Sequence, residues 1–362
     1  MKVEIYGNTV ASACAALKAQ SLGHEVTWFT KNDSQIKNMR PTRLSQSHIS
    51  QILEYTRPFF RALPSLIKAQ AISNYSTLNS KALSDPWKSI NSEKNYWVDE
   101  KQLIKELKEA AANSSMRILH SDLFPRFMGN TANMSIVDAF DTDLALWSQR
   151  LFNQPHHQED PSHCLQLHIA KNPRQQLGHG KILKLRDCLG FIEPSGPSSS
   201  VISFFSDKKQ NITELRSVLG RQMGQNSGIP IELGVLITLN PGATQRSIKT
   251  FVGQAQVIAP GLFPIGHSIG TLNPENNQQT MMSLDHLVEL ESILTNFSAK
   301  NQVKVYQLSE RWIESKRNAF RRRLYLTKLW KKALLSPQNQ RLVLSTHSIL
   351  PPFLRQSLAS PL

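Results

Sequence analysis

The chain has 362 residues, of which 40% are hydrophobic, and its formal net charge is +15. This length can form two joined domains with large cores, and no apolar run approaches the roughly twenty residues of a transmembrane helix. The three cysteines, Cys14, Cys164 and Cys188, lie far apart and form no CxxC pair. Such cysteines argue against a disulfide scaffold or a zinc site and predict a reducing, cytoplasmic location.

The start of the chain has the pattern of a βαβ unit. Residues 2–6 (KVEIY) predict a strand, residues 10–22 a helix of small residues, and residues 25–29 (EVTWF) the next strand. A unit of this kind opens the dinucleotide-binding folds.

The turn between the first strand and the helix carries cofactor-binding candidates. Three glycines normally serve there for the tight turn, the approach of the diphosphate and the packing of the helix. Gly7, Thr9 and Ser12 occupy these places, so only the first is a glycine. The side chain of Thr9 narrows the approach, although its hydroxyl could donate a hydrogen bond. Thr30 follows the second strand, where an acid would bind the adenosine ribose.

Three further polar residues adjoin predicted elements of the first half. Arg43 precedes a helix near residues 47–55, where its ordinary interpretation is a surface arginine. Asp99 joins a strand to an amphipathic helix, with another strand at residues 116–119. Asp143 follows a strand near residue 135, where its ordinary interpretation is an exposed loop acid.

From residue 151 to residue 249 the chain predicts a sheet. Four apolar or alternating segments are separated by Pro, Gly and Ser, at residues 164–171, 181–194, 200–206 and 231–239. One loop crowds potential metal ligands, namely His156, His157, Glu159, Asp160 and His163. Their spacing matches no metal-ligand pattern, so we predict no metal site. No spacing of Ser, His and Asp or of Cys and His argues for nucleophilic catalysis.

The stretch from residue 257 to residue 294 predicts a strand, a polar loop and a helix. An apolar run ends at Gly266 and His267, the loop contains Pro274, and helical spacing begins at about residues 277–280. Backbone N–H groups at a helix start are unpaired and favour an anion or a polar ring edge.

The excess of positive charge is concentrated late in the chain. Residues 311–332 hold nine Lys or Arg against one Glu. This segment is either a solvated helix face or a docking face for an acidic protein partner. Nucleic-acid binding is the least favoured alternative because no motif for reading nucleic acid accompanies the charge.

The order of these features resembles the aromatic-hydroxylase-like (group A) FAD monooxygenases over nearly the whole chain. The matching residues are Gly266, Pro274 and Leu284-Asp285 for one signature, Val98-Asp99 for another, and Asp143 with Arg150 for a third. The resemblance implies an FAD/NAD(P)-binding Rossmann-type α/β fold with an inserted antiparallel sheet domain for the substrate. It divides the chain into a Rossmann domain (1–150 and 250–332, the latter with the basic helices), the sheet domain (151–249) and a C-terminal surface segment (333–362).

By the same resemblance, seven residues would line FAD: Gly7, Thr9, Ser12, Thr30, Asp143, Gly266 and Pro274. His267, which replaces the family's Asp, and Arg43 are the catalytic candidates. The leading hypothesis is an FAD-dependent monooxygenase that uses NAD(P)H and hydroxylates an aromatic group, such as a tryptophan of a protein during maturation of a quinone-bearing oxidase. The replaced signature residues imply that FAD is held weakly. The alternative is a cofactor-free pseudo-enzyme that acts as a binding or chaperone subunit.

Overall fold

The computed structural model describes a large part of the chain, and all structural statements below concern that part. The described residues are 2–30, 41–59, 75–77, 95–120, 134–138, 160–170, 180–184, 189–196, 199–206, 245–254, 261–272, 279–296 and 302–335. The helices are α1 (Val10–Ser21), α2 (Gln46–Thr56), α3 (Glu100–Ala112), α4 (Gln279–Asn296) and α5 (Gln302–Leu335). No described helix has the length and apolar character needed to cross a membrane.

The strands belong to three sheets. The first sheet contains β1 (Lys2–Gly7), β2 (Glu25–Thr30), β6 (Arg117–His120), β7 (Met134–Asp138) and β13 (Leu262–Pro264). The second contains β4 (Tyr75–Thr77), β8 (Asp160–Ala170), β9 (Gly180–Lys184), β10 (Leu189–Gly196), β11 (Ser199–Ser206), β12 (Gln245–Gln254) and β14 (Gly270–Thr271). A small third sheet pairs β3 (Thr42–Ser45) with β5 (Asn95–Val98).

The first sheet is wholly parallel, in the order β13-β7-β1-β2-β6. Strands β7 and β13 are buried throughout, as expected for a sheet covered by helices, whereas β1 and β2 alternate in part between buried and more exposed residues. Helix α1 consists largely of small side chains, so it lies close against the strands, with Ala13, Ala15 and Ala16 fully buried. Helices α2, α3 and α4 pack against α1. The predicted α/β fold with its opening βαβ unit is therefore confirmed.

The second sheet is antiparallel except for β4, which pairs in parallel with β9. The segment at residues 181–194, predicted as a single strand, forms the hairpin β9–β10. Strand β12 belongs to this sheet and crosses the predicted boundary at residue 249. The predicted strand at residues 231–239 lies outside the described residues.

The late part of the chain follows the predicted order of strand, loop and helix. After β13, a 3-10 turn spans Gly266–Ser268, and α4 begins at Gln279, inside the predicted interval. Helix α5 extends to Leu335, slightly beyond the predicted end of the basic helices.

Candidate functional site

The parallel sheet creates a crevice where the strand order reverses. Strand β1 lies between β2 and β7, and Gly7 is paired in register with Asp138 at the carboxyl ends of β1 and β7. Open α/β sheets bind ligands outside the carboxyl ends of their strands at such a switch point. The start of α1 and the turn after β13 meet at this crevice.

The start of α1 is closed by its own side chains. Thr9 is the N-cap, and its hydroxyl accepts a hydrogen bond from the Ser12 backbone N–H at 3.0 Å. In return, the Ser12 hydroxyl accepts one from the Thr9 N–H at 2.9 Å. This reciprocal capping box uses two backbone donors that a diphosphate would otherwise approach. Val10 and Ala11, which follow the cap, are fully buried.

Asp138 sits against this cap and was not predicted from the sequence. Its side chain is fully buried, and its Oδ2 accepts a hydrogen bond from the Thr9 hydroxyl at 2.7 Å. Its Oδ1 accepts a second bond from the His267 backbone N–H at 2.9 Å, and His267 Nδ1 lies 3.2 Å from the same oxygen. One carboxylate thus joins α1, β7 and the turn after β13.

Two glycines of the predicted cofactor signatures pack directly around Asp138. Gly7 has φ +152°, and a Cβ there would overlap the Asp138 carbonyl and approach Ser12 Cβ to 3.0 Å. Gly266 has φ +46°, and a Cβ there would overlap the Ser283 side chain and lie 2.8 Å from Asp138 Oδ1. Close packing within the chain is therefore sufficient to require both glycines.

The Thr30 hydroxyl at the end of β2 also has a hydrogen-bond partner within the chain. Thr30 is fully buried and donates a hydrogen bond to Asn8 Oδ1 at 2.9 Å. Beneath this contact, the Trp28 indole N–H donates to the Gly7 carbonyl at 2.9 Å. The hydroxyl group at the predicted ribose-binding position is therefore bonded within the chain.

A second buried carboxyl group lies near His267. Glu100, the first residue of α3, is 6% exposed and accepts a hydrogen bond from the Thr280 hydroxyl at 3.1 Å. Thr280 in turn accepts one from the Thr42 hydroxyl at 3.2 Å. Burial raises the pKa of Glu100 to about 7, against the lowering effects of His267 and Thr280. At neutral pH this group can hold or release a proton.

His286 supports the turn after β13 from behind. Its Nδ1 accepts a hydrogen bond from the Gly266 backbone N–H at 3.1 Å, and its ring meets Trp312 of α5 edge to face. Burial, together with the charges of Lys316 and Arg323, lowers the pKa of His286 to about 3. The imidazole is therefore neutral, as an acceptor at Nδ1 requires.

The structure brings together a serine, a histidine and an aspartate that sequence spacing did not connect. Ser45 Oγ lies 2.5 Å from His48 Nδ1, and His48 Nε2 lies 2.9 Å from Asp285 Oδ1. Ser45 is the N-cap of α2, and its hydroxyl is also bonded to Ser47. We interpret the group as a helix cap and a hydrogen-bonded link that fastens α2 to α4. Among the described residues, no cluster of His, Cys, Asp or Glu could hold a metal.

The predicted site residues fall into three groups. Gly7, Thr9, Ser12, Gly266 and His267 meet around Asp138, whereas Thr30 contacts Asn8 at the end of the neighbouring strand. Arg43 belongs to β3, but its side chain lies outside the described part of the chain. Asp143 and Pro274 also lie outside it.

No protein-family model and no curated protein sequence matches the chain, whereas many solved structures do. PyrE3, a Diels–Alderase of pyrroindomycin biosynthesis, shares 14% identity over 99% of this chain and 80% of its own, with a TM-score of 0.69. CtdE, solved with FAD and a substrate, shares 10% identity over 90% of this chain and 89% of its own, with a TM-score of 0.62. This chain has the fold of FAD-dependent monooxygenases and related flavoproteins. QhpG, a peptidyl tryptophan dihydroxylase, has that fold too, at 11% identity over 90% of this chain and 74% of its own, with a TM-score of 0.60.

The start of α1 is only partly open to the diphosphate of FAD. The dinucleotide-binding fold places that group against the start of the first helix. Here the amides of Thr9 and Ser12 are bonded within the cap, and the buried carboxylate of Asp138 lies against the same cap. The capping box thus removes two donors, whereas the N–H groups of Val10 and Ala11 take no part in it.

Asp138 and Glu100 are the site groups that sequence reasoning missed. Asp138 is the last residue of β7, and the pattern SIVD marks it as a strand-end acid beside the first glycine turn. Glu100 follows the Asp99 N-cap, where an acid normally favours the helix dipole from an exposed position. Only contact with the distant Thr280 reveals that Glu100 is buried.

Proposed function

We propose that this chain is a cofactor-free derivative of the flavin-monooxygenase fold that acts as a binding or chaperone subunit for another protein. The observation that carries the proposal is the buried Asp138 carboxylate, bonded to Thr9 and to His267 inside the dinucleotide crevice. PyrE3, with the same fold, is a Diels–Alderase, so proteins of this shape are not confined to hydroxylation.

The electrostatic balance supports a crevice without a diphosphate. Two unit charges of like sign at roughly 4 Å repel by about 4 kcal/mol at an effective dielectric constant of 20. The attraction of an anion to a helix N-terminus reaches at most about 2 kcal/mol. Asp138 would oppose a diphosphate at the start of α1, and the capping box has already used part of the attraction from that helix.

Helix α5 offers the surface for a partner protein. Its inner face is buried through five apolar residues: Val305, Trp312, Ile313, Phe320 and Leu324. Its outer face exposes Arg311, Arg321 and Arg322, with Tyr325 64% exposed beside them. A cationic helix with an exposed aromatic ring matches an acidic protein surface, which would gain both charge pairing and apolar contact.

A charge-reversal experiment tests this role. The paired substitution Arg321→Glu and Arg322→Glu should abolish capture of an acidic protein from extracts of the source cells at physiological salt. The matched control reverses two exposed charges elsewhere, Lys105→Glu on α3 and Arg117→Glu on β6, and should leave the capture intact. Equal loss in both variants, or no captured protein that responds to α5, would contradict the proposal.

The second candidate function is the flavin-dependent hydroxylation of an aromatic group, such as a tryptophan of a protein substrate. Its support is the shared fold, together with the activity in the name of QhpG. In that case FAD would supply the oxidation chemistry, NAD(P)H would be the electron donor by analogy, and His267 would be the first residue to test. The closed crevice would then have to open before FAD could bind.

A visible absorption spectrum distinguishes the two candidates. The purified protein is recorded as isolated and again during titration with FAD to high micromolar concentration. We expect no saturable change in flavin absorbance or fluorescence from the folded protein. Saturable binding that Gly7→Trp abolishes would instead favour the monooxygenase and would justify testing reduction by NADH and NADPH.

A further inference from the structure

We propose that the buried Glu100 is a proton-sensitive latch for the start of α4. In its neutral form the Glu100 carboxyl group keeps this helix start closed against β3 and β14, and in its ionised form it loosens these contacts. The latch goes beyond the proposed function, since it does not depend on which partner or ligand the chain binds.

The start of α4 connects the elements around the parallel sheet to the antiparallel sheet. Gln279, the first residue of α4, donates from Nε2 to the Gly270 carbonyl at 2.9 Å, and its Oε1 accepts the Leu272 N–H at 3.0 Å. Gly270 lies in β14, which pairs with β12 of the antiparallel sheet. The next residue, Thr280, donates to Glu100 of α3 at 3.1 Å. Two adjacent side chains therefore hold this helix start to both sheets.

Glu100 has few neighbours that could stabilise a negative charge. Among the described residues, the Thr280 hydroxyl is the one hydrogen-bond donor to Glu100, and the Thr42 hydroxyl bonds Thr280 rather than the carboxyl group. No Lys or Arg in the described part of the chain forms an ion pair with Glu100. A carboxylate removed from water needs several donors or a close cation to be favourable. The position therefore favours the neutral carboxyl group.

The charged groups that face Glu100 come from three places and do not reverse this preference. Asp138 at the end of β7 and Asp99, the N-cap of α3, disfavour a negative charge on Glu100, whereas His267 in the turn after β13 favours one. The starts of α3 and α4 also favour an anion, but this effect is small against the loss of contact with water. Burial accordingly raises the pKa of Glu100 to about 7, with the two aspartates adding to the rise.

An ionised Glu100 regains contact with water when the start of α4 moves away. Thr280 lies against the carboxyl group and is itself buried, so this contact must open before water can solvate the charge. Gln279 precedes Thr280 directly, and the same movement breaks its bonds to Gly270 and Leu272. Ionisation of one carboxyl group thus loosens the link between the two sheets.

Hydrogen exchange of backbone amides, followed by NMR from pH 6 to pH 8, tests the latch in the full-length protein. The Leu272 amide reports on the bond to Gln279, the Leu284 amide on the first turn of α4, and the Ile5 amide in β1 on unfolding of the whole chain. We expect protection factors at Leu272 and Leu284 that lie below that of Ile5 and change little in dilute urea, as for a local opening. They should fall about tenfold from pH 6 to pH 8, because the ordinary pKa of 4.5 applies once Glu100 is solvated.

Two variants assign the effect to Glu100. Glu100→Gln keeps the shape of the side chain and stays neutral at every pH, so protection at Leu272 and Leu284 should be the same at pH 6 and pH 8. The matched control is Glu109→Gln, which removes an exposed carboxyl group from the same helix and should keep the pH dependence of the wild type.

Three outcomes would overturn the latch. The first is constant protection at Leu272 and Leu284 in the wild type from pH 6 to pH 8, a result that needs no variant. The second is protection equal to that of Ile5, because the start of α4 would then open only when the whole chain unfolds. The third is a folded Glu100→Gln protein with the pH dependence of the wild type, which would assign the titration to another group.

Discussion

The substitution Gly266→Ala tests the packing of α4 against the turn after β13. It should lower the free energy of unfolding in two separable ways, by backbone strain and by steric overlap. The residue has φ +46°, so any side chain there is strained. Its added Cβ would also overlap Ser283 Oγ and lie 2.6 Å from Ser283 Cβ. The second cost exists only if α4 packs against the turn after β13 as described.

The expected magnitudes follow from these two costs. A residue forced into the left-handed region loses about 1–2 kcal/mol, and overpacking adds about 1–3 kcal/mol. Gly266→Ala should therefore destabilise the protein by roughly 2–5 kcal/mol. Gly23→Ala is the matched control, since Gly23 has φ +79° but nothing within 4 Å of its added Cβ. It should carry the strain alone, about 1–2 kcal/mol.

Urea unfolding of the wild type and both variants measures the difference. A second substitution, Ser283→Gly, removes the Ser283 atoms that overlap the added Cβ but leaves Asp138 Oδ1 at 2.8 Å. The double mutant with Gly266→Ala should therefore recover part of the packing cost in a double-mutant cycle. Equal destabilisation by Gly23→Ala and Gly266→Ala, with no coupling to Ser283→Gly, would refute the reasoning. Ser283 of α4 would then not pack against Gly266.

Three further predictions concern the groups around the crevice. Burial raises the pKa of Glu100 to about 7 from an ordinary 4.5, so the folded chain holds this proton more tightly than the unfolded chain does. The contribution of Glu100 to the free energy of unfolding therefore falls as pH rises from 4.5 to 7. Glu100→Gln should therefore raise the unfolding free energy by up to about 3 kcal/mol at pH 8 but little at pH 4, whereas Glu109→Gln on the same helix should do neither. The pKa of His286 is lowered to about 3, so stability falls as pH drops from 6.5 towards 3, and His286→Asn should reduce that loss in acid unfolding curves. Thr9→Ala should lower the free energy of unfolding by about 1 kcal/mol or more because the helix cap is lost. Thr9→Ser keeps a capping hydroxyl and should retain most of that stability; an equal loss in both variants would argue against the cap.

The order of the elements could be predicted because each has a local signal. Small residues closed by Gly23 predict α1, and the alternating or apolar segments predict the strands on either side of it. The 3-10 turn at Gly266–Ser268 and the pairing of β9 with β10 depend on tertiary contacts. The sequence pattern shows only the end of an apolar run at the first place and one continuous segment at the second.

The candidate site was only partly predictable, because the role of each residue depends on what its side chain contacts in the folded protein. Thr9 and Ser12 could be recognised as replacements for glycine, but a hydroxyl facing a ligand and one capping its own helix have the same sequence. Asp138 lies 129 residues from Thr9, and only the pairing of β7 with β1 brings them together. Nothing local distinguishes this strand-end acid from Asp143, which the family resemblance favoured.

A high-resolution crystal structure of the wild-type protein, grown with excess FAD, tests the central claim most directly. The account predicts no flavin density, with Asp138 Oδ2 within hydrogen-bond distance of the Thr9 hydroxyl and Oδ1 accepting from the His267 N–H. A diphosphate bound at the start of α1, with the Asp138 carboxylate displaced from Thr9, would contradict it.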